Sequence, residues 1–147
     1  MTDNGDFDMS TLDDMNRNVI EEFRENGGKV GGLFEGKPLV LVHHVGAKSG
    51  VKRIAPLVPY VDGSRTFVFA SLGGADVNPA WYHNVVTNPD VVVELGSETF
   101  AATARVLSGG ERDDIYAKQS AVEPQFAEYQ SKTTRVIPVV ELVRSGG

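Results

Sequence analysis

Pro38-Leu39-Val40-Leu41-Val42-His43-His44-Val45 is a β-branched run that ends in the turn Gly46-Ala47-Lys48-Ser49-Gly50. Residues 54–61 read as a second strand, interrupted by Pro56 and Pro59. Proline cannot donate to a strand ladder, so this strand belongs at a sheet edge or a bulge. Asp62-Gly63-Ser64 is a turn signal, and residues 66–71 form a third strand. Strands joined by turns this short pair antiparallel, because a parallel crossover needs a dozen or more residues.

The same pattern continues outward. Val91–Leu95 and Thr99–Leu107 make a hairpin across Gly96-Ser97, and Val136–Val143 closes the chain as a last strand. Upstream, Leu12, Met15, Val19 and Phe23 recur at helical spacing, with Ser10 as cap, Asp13 and Asp14 in the first turn and Gly27 as stop. This predicts a helix over 11–26, then a glycine-rich loop over 27–36. Asn78-Pro79 reads as an N-cap followed by proline at the first helical position, opening a helix that Asn88-Pro89 ends. Two more helices are expected over 111–121 and from Pro124 to Gln130. About six antiparallel strands with edge prolines predict a mainly β chain with α elements: a barrel with helices packed outside. A doubly wound nucleotide fold would need regular strand–helix alternation, which is not present. Residues 1–9 read as a flexible N-terminus and 10–147 as one domain that includes the first helix.

Composition narrows the function. The chain has 147 residues, 41 % of them hydrophobic, a formal net charge of −6 and a pI near 5.0. An acidic balance argues against non-specific nucleic-acid binding, which needs a basic surface. The absence of cysteine excludes disulfide, thiolate and zinc-thiolate chemistry and fits a reducing cytoplasm. No run approaches the roughly 20 apolar residues of a membrane span, and the acidic, polar start lacks a signal-peptide pattern. The expected location is cytoplasmic. His43 and His44 should point to opposite faces of their strand, and no spacing of histidines or carboxylates recommends a metal site.

Four segments carry candidate chemistry. Gly46 to Gly50 can expose successive N–H groups to an anion, with Lys48 and Arg53 adding two cations. The bland alternative is a solvated hairpin. Ala70-Ser71-Leu72-Gly73-Gly74-Ala75 allows a ligand close to backbone, or is a flexible connection. The stretch Asn78 to Asn84 sets Trp81 and Tyr82 on a helix that is either core or cofactor wall. Phe126 and Tyr129 share one helix face and either wall a pocket or pack a core.

Three blocks in order resemble the actinobacterial deazaflavin-dependent nitroreductase family: Gly46 through Arg53 to Leu57; Ala70 through Ala75 and Asn78 to Tyr82; and Tyr129-Gln130-Ser131 leading to Val136-Ile137-Pro138. The resemblance implies a split β-barrel of the FMN-binding kind and an oxidoreductase that uses coenzyme F420. Its reduced deazaflavin would pass hydride to a small organic acceptor, a quinone or a nitroaromatic. The resemblance implies that Lys48, Ser49 and Arg53 hold the cofactor phosphate and that Ala47 also contacts the cofactor. The strand Arg53, Ile54, Ala55, Pro56, Leu57 and Val58 would flank the ring. Phe69, Ala70, Ser71, Leu72 and Gly73, with Ala80, Trp81, Tyr82, His83 and Asn84, would contact the cofactor elsewhere. Phe126 would line the same pocket, and Tyr129 and Ser71 would act in catalysis. Trp81 either stacks on the ring or packs behind it. This chain departs from relatives at Leu72, where they can carry Lys, at Phe126, where the best-known carry Tyr, and at Lys132, where those carry an aromatic. A non-catalytic deazaflavin carrier and an FMN-dependent oxidase are the competing readings. If the acceptor is a quinone, weak peripheral membrane contact by the first helix is a further expectation.

Overall fold

A computed structural model describes residues 9–28 and 39–145, with side chains from Arg17 onward. Seven strands form one antiparallel sheet: β1 Val40–Val45, β2 Lys52–Leu57, β3 Tyr60–Asp62, β4 Arg65–Phe69, β5 Asp90–Leu95, β6 Glu98–Val106 and β7 Val139–Arg144. Among the described residues four α-helices accompany them: α1 Met9–Glu25, α2 Ala80–Thr87, α3 Gly109–Val122 and α4 Gln125–Ser131.

The strand order is β2-β1-β5-β6-β7-β4-β3, so β2 and β3 are the two edges. Yet only Val58 and Pro59 separate them in sequence. A flat sheet of this width would hold its edges about 29 Å apart at about 4.8 Å per strand. The step from Leu57 to Tyr60 reaches at most about 11 Å. The sheet must therefore curl until its edges approach, which is the split barrel.

The inward faces of the strands make the barrel core. Val40, Val42, Val68, Val93, Val140 and Leu142 are all buried there. α2 inserts Trp81 and Val85 into the same cluster and so contributes to the interior, whereas α1, α3 and α4 cover the outside. Under α3 and α4 lie Phe67, Phe69, Ile137 and Val139, with Ile115, Tyr116 and Phe126. Under α1, Phe23 covers Leu39 and Leu41.

α1 ends as its glycines dictate. Gly27 adopts φ +63° and the Gly28 amide donates to Phe23 O at 2.8 Å, a left-handed C-terminal cap. A Cβ on Gly28 would sit 2.6 Å from Gly96 Cα, so glycine is required where α1 crosses the β5–β6 turn. Arg24 then forks onto Glu94 of β5 at 3.1 and 2.7 Å. This bond holds the Glu94 carboxyl below its ordinary range.

Several sequence expectations shift. The predicted strand over 54–61 is two strands, broken at Val58-Pro59, and the sheet has seven strands rather than about six. Pro56 does lie in an edge strand. The third strand is Arg65–Phe69 and stops short of Ala70 and Ser71, and the last is Val139–Arg144 rather than 136–143. α1 already includes Met9 and Ser10, so Ser10 lies within the helix instead of capping it. Asn78 is not the cap of α2: Pro79 takes that place with extended ψ of 156°, because the Asn78 side chain is bound by Arg135. The Gly96-Ser97 hairpin holds, with Leu95 opposite Glu98. Residues 1–8, and 29–36 of the expected loop, lie outside the described residues.

Candidate cofactor site

The β1–β2 turn is built from its own short side chains. Gly46 N donates to Val51 O and Gly50 N to Gly46 O, while Ser49 Oγ accepts from Val51 N at 3.1 Å. α2 clamps the turn from below: Ala47 N donates to Asn84 Oδ1 at 2.9 Å. The Lys48 and Ser49 amides have no acceptor among the described residues. Lys48, Lys52 and Arg53 are exposed and have no carboxylate partner among the described residues. By contrast, Arg24, Arg65, Arg105, Arg112 and Arg144 all pair with carboxylates. Lys48 in the turn and Arg53 on the His44 face of β2, beside amides that lack an acceptor among the described residues, are suited to an anion, while Lys52 alternates onto the opposite face.

His44 lies directly beneath. It is 5 % exposed, and burial with Arg53 nearby lowers its pKa to about 4, so the ring is neutral at pH 7. Its Nδ1 lies 3.1 Å from Asn84 Nδ2. His43 points the other way, onto Glu94 Oε2 at 2.5 Å, as the strand alternation requires.

β2 leads from the turn along the open edge of the sheet. Its residues Ile54, Ala55, Pro56 and Leu57, with Val58 beyond, are half-buried. Among the described residues β2 pairs only with β1, so its other side has no strand partner there. Ala55 and Leu57 pack on the cluster that contains Ala70 and Trp81. Val58 and Tyr129 each pack against the cluster that contains Phe69 and Phe126. The predicted segments thus divide between two packed clusters, one under β2 and α2 and one under α3 and α4.

Beyond β4 the chain is strained. A 3-10 turn covers Leu72–Gly74, with non-glycine Leu72 at φ +45° and Gly73 at +64°. Arg135 holds this loop by four acceptors: Ala70 O at 3.2 Å, Ser71 O at 3.0 Å, Ala75 O at 2.7 Å and Asn78 Oδ1 at 2.7 Å. Gly74 lets α4 approach, since a Cβ there would sit 2.8 Å from Tyr129 O. Arg135 is itself fixed, because Gln130 Nε2 donates to its carbonyl at 2.7 Å. Gln130 Oε1 in turn accepts from Arg112 and from Ile137 N. Sequence reasoning passed over Arg112 and also Arg135, whose partners are mostly backbone carbonyls far along the chain.

The remaining predicted residues divide by burial. Phe69, Ala70, Trp81 and Phe126 are buried core, Trp81 behind the sheet edge rather than open to it. Ala80 and His83 are exposed on α2, and Tyr82 is half-buried. Asn84 is 8 % exposed and its side chain is already engaged at both ends. Ser71 and Tyr129 are half-buried, and the Tyr129 hydroxyl has no partner among the described residues. Tyr116 differs: its hydroxyl donates to Phe126 O at 2.6 Å, and burial pushes its pKa up to about 12.

A curled antiparallel sheet whose edges approach is a split barrel, and its cation-bearing β1–β2 turn suits an anionic ligand. The sequence pattern of the family described as F420H(2)-dependent quinone reductase matches residues 15–144, and the chain belongs to that family. A Mycobacterium tuberculosis protein described as an F420H(2)-dependent quinone reductase is 36 % identical over 126 residues, covering 83 % of this chain and 85 % of that protein. A solved structure described as an F420-H2 dependent reductase is 42 % identical, covers 71 % of this chain and 93 % of its own, and superposes with a TM-score of 0.67. Another, described as a domain-swapped dimer, is 36 % identical, covers 92 % and 99 %, and gives a TM-score of 0.69. The chain is therefore an F420H2-dependent reductase, with coenzyme F420 as its cofactor. Among the described residues, no helix is long and apolar enough to cross a membrane.

Proposed function

We propose that this chain moves hydride from reduced coenzyme F420 to a quinone, with the cofactor phosphate at the β1–β2 turn and its ring along β2. Lys48, Arg53 and the Lys48 and Ser49 amides hold the phosphate. The observation that carries this reading is the pair Lys48 and Arg53, without carboxylate partners among the described residues, at the head of a sheet edge that has no strand partner among them. When bound, the reduced cofactor supplies the hydride. The protein's part is placement and charge. β2 and the loop at 70–73 flank the ring, and the Tyr129 hydroxyl donates to the acceptor oxygen as negative charge develops there.

Nitroaromatics enter this reading as secondary acceptors of the same site. The reaction is placed in the cytoplasm, with which a cysteine-free composition agrees. α1, with its charged Arg24 and Glu22, would make only weak contact with a membrane that holds the quinone.

The test is steady-state oxidation of reduced F420 with menadione as acceptor, followed by return of the oxidised chromophore. Turnover is expected. Tight F420 binding without turnover on any quinone or nitroaromatic would make the chain a carrier. Preference for FMN in direct competition would overturn the cofactor assignment within the site.

A further inference from the structure

We propose that His44 is a positioning residue for the anion-binding turn, acting through the side-chain amide of Asn84. The proposal rests on the phosphate reading above and adds the device that sets which amides face the phosphate.

Three groups from three elements stand in series. His44 Nδ1 of β1 lies 3.1 Å from Asn84 Nδ2 of α2, and Asn84 Oδ1 lies 2.9 Å from the Ala47 amide in the turn. The two ends of an Asn amide are nearly the same shape and differ only in donor and acceptor character. A lone pair on Nδ1 draws the NH2 end of Asn84 and so turns its oxygen toward Ala47. If Nδ1 carried the proton, the favoured orientation would reverse, and the Ala47 N–H would face another donor. The Ala47 N–H can only donate and so requires the Asn84 oxygen, and the buried, neutral histidine supports that orientation only in the tautomer whose Nδ1 is unprotonated.

That orientation has a consequence at the surface. The Ala47 amide is tied inward, which leaves the Lys48 and Ser49 amides as those without an acceptor among the described residues. Asn88 makes a second tie from the same helix, its Nδ2 donating to Val45 O at 3.4 Å. His44 and Asn84 are 5 % and 8 % exposed, so solvent cannot readily replace either bond. None of these groups needs to touch the ligand. They preorganise the backbone that does.

A purely structural pair would join α2 to β1 and have no bearing on phosphate. The two roles separate by comparing coenzyme F420 with its riboside chromophore, which has the ring but no phosphate. In His44→Phe, which keeps a flat ring but removes the acceptor, the preference for F420 over the riboside is expected to fall about tenfold. His44→Asn, whose Oδ1 can reach near the position of Nδ1, should restore most of it. An unchanged preference in His44→Phe, or equal loss of both ligands, overturns the positioning role. A wild-type protein that shows no preference between the two overturns the phosphate reading itself, and the proposal with it. A second measurement needs no variant: the 15N shifts of His44 in the wild-type protein should report the Nε2–H tautomer, and an Nδ1–H tautomer would refute the relay.

Discussion

Arg135 holds Ser71 in place from 64 residues away, its Nη2 donating to Ser71 O at 3.0 Å. The same guanidinium reaches Ala70 O, Ala75 O and Asn78 Oδ1, so one side chain anchors the whole loop between β4 and α2. That loop contains Leu72 at φ +45°, a conformation that a non-glycine residue adopts at a cost. The charge-assisted bonds offset this cost.

Arg135→Ala should therefore destabilise the fold by about 3 kcal/mol, the cost of leaving carbonyls without their charged donor. Arg135→Lys should recover less than half, because an ammonium is a point charge and cannot fork onto four acceptors. Urea melts measure the stability, and turnover with menadione measures the loop. Wild-type turnover in a folded Arg135→Ala protein would show that the loop does not need to be held for the reaction.

Lys48→Ala and Arg53→Ala should each weaken F420 binding tenfold to a hundredfold, since each removes a charge-assisted bond worth about 1.5–3 kcal/mol. Both side chains are exposed, so the loss should shrink as salt is raised. Fluorescence titration at low and high salt measures both effects. Unchanged affinity in both variants would remove the phosphate from this turn.

His44 makes stability depend on pH. Its folded pKa is about 4, while an unfolded histidine titrates near 6.5. Below about pH 6.5 the unfolded chain takes up a proton that the fold refuses, so stability falls as pH drops from 6.5 to 4 and levels off beneath that. The loss from this group is on the order of 2–3 kcal/mol. Glu94 and Glu141, held below their ordinary range chiefly by hydrogen bonds from Arg24 and Arg65, add further losses toward lower pH. His44→Asn isolates the histidine share. Its urea midpoint should vary less than that of the wild type between pH 6.5 and 4, and equal slopes would contradict the assignment.

Much of this fold is legible in short-range pattern. The Gly46–Gly50 and Gly96-Ser97 turns announce their hairpins, and Pro56 marks an edge strand as it should. Opposite facing of His43 and His44 follows from strand period alone. The failures have a common cause in distant partners. Pro59 reads as an interruption, but only the strand order shows that it bridges the two sheet edges. Asn78 has the composition of a cap, yet Arg135, 57 residues on, claims its side chain. Asn84 matches a cofactor-contact position, whereas its amide is already occupied by Ala47 and His44. Arg135 binds mainly backbone carbonyls, which every residue possesses, so no residue type elsewhere in the chain betrays it.

Tyr129 offers the sharpest test of chemistry against packing. Its ring lies 5.3 Å from that of Phe126 at 68°, within the cluster that also holds Phe69 and Tyr116. Gly74 admits the α4 backbone closely enough that the ring position is set by contact rather than by the hydroxyl. The hydroxyl has no acceptor among the described residues, so Tyr129→Phe should leave the melting temperature unchanged. Tyr116 is the internal contrast, because its hydroxyl is buried and bonded to Phe126 O. Tyr116→Phe should lower the melting temperature while acting on turnover only through that loss. If the Tyr129 hydroxyl donates to the acceptor as charge builds during hydride transfer, its removal raises the barrier more than it weakens binding. Tyr129→Phe should then lower kcat at least tenfold, with up to about 3–4 kcal/mol of barrier at stake, and leave the Kd for F420 unchanged. Phe126 brings no second hydroxyl to compensate. Steady-state kinetics with menadione beside a cofactor titration measure both quantities. Wild-type kcat in Tyr129→Phe would return this tyrosine to a packing role and leave the proton donor to be sought at Ser71.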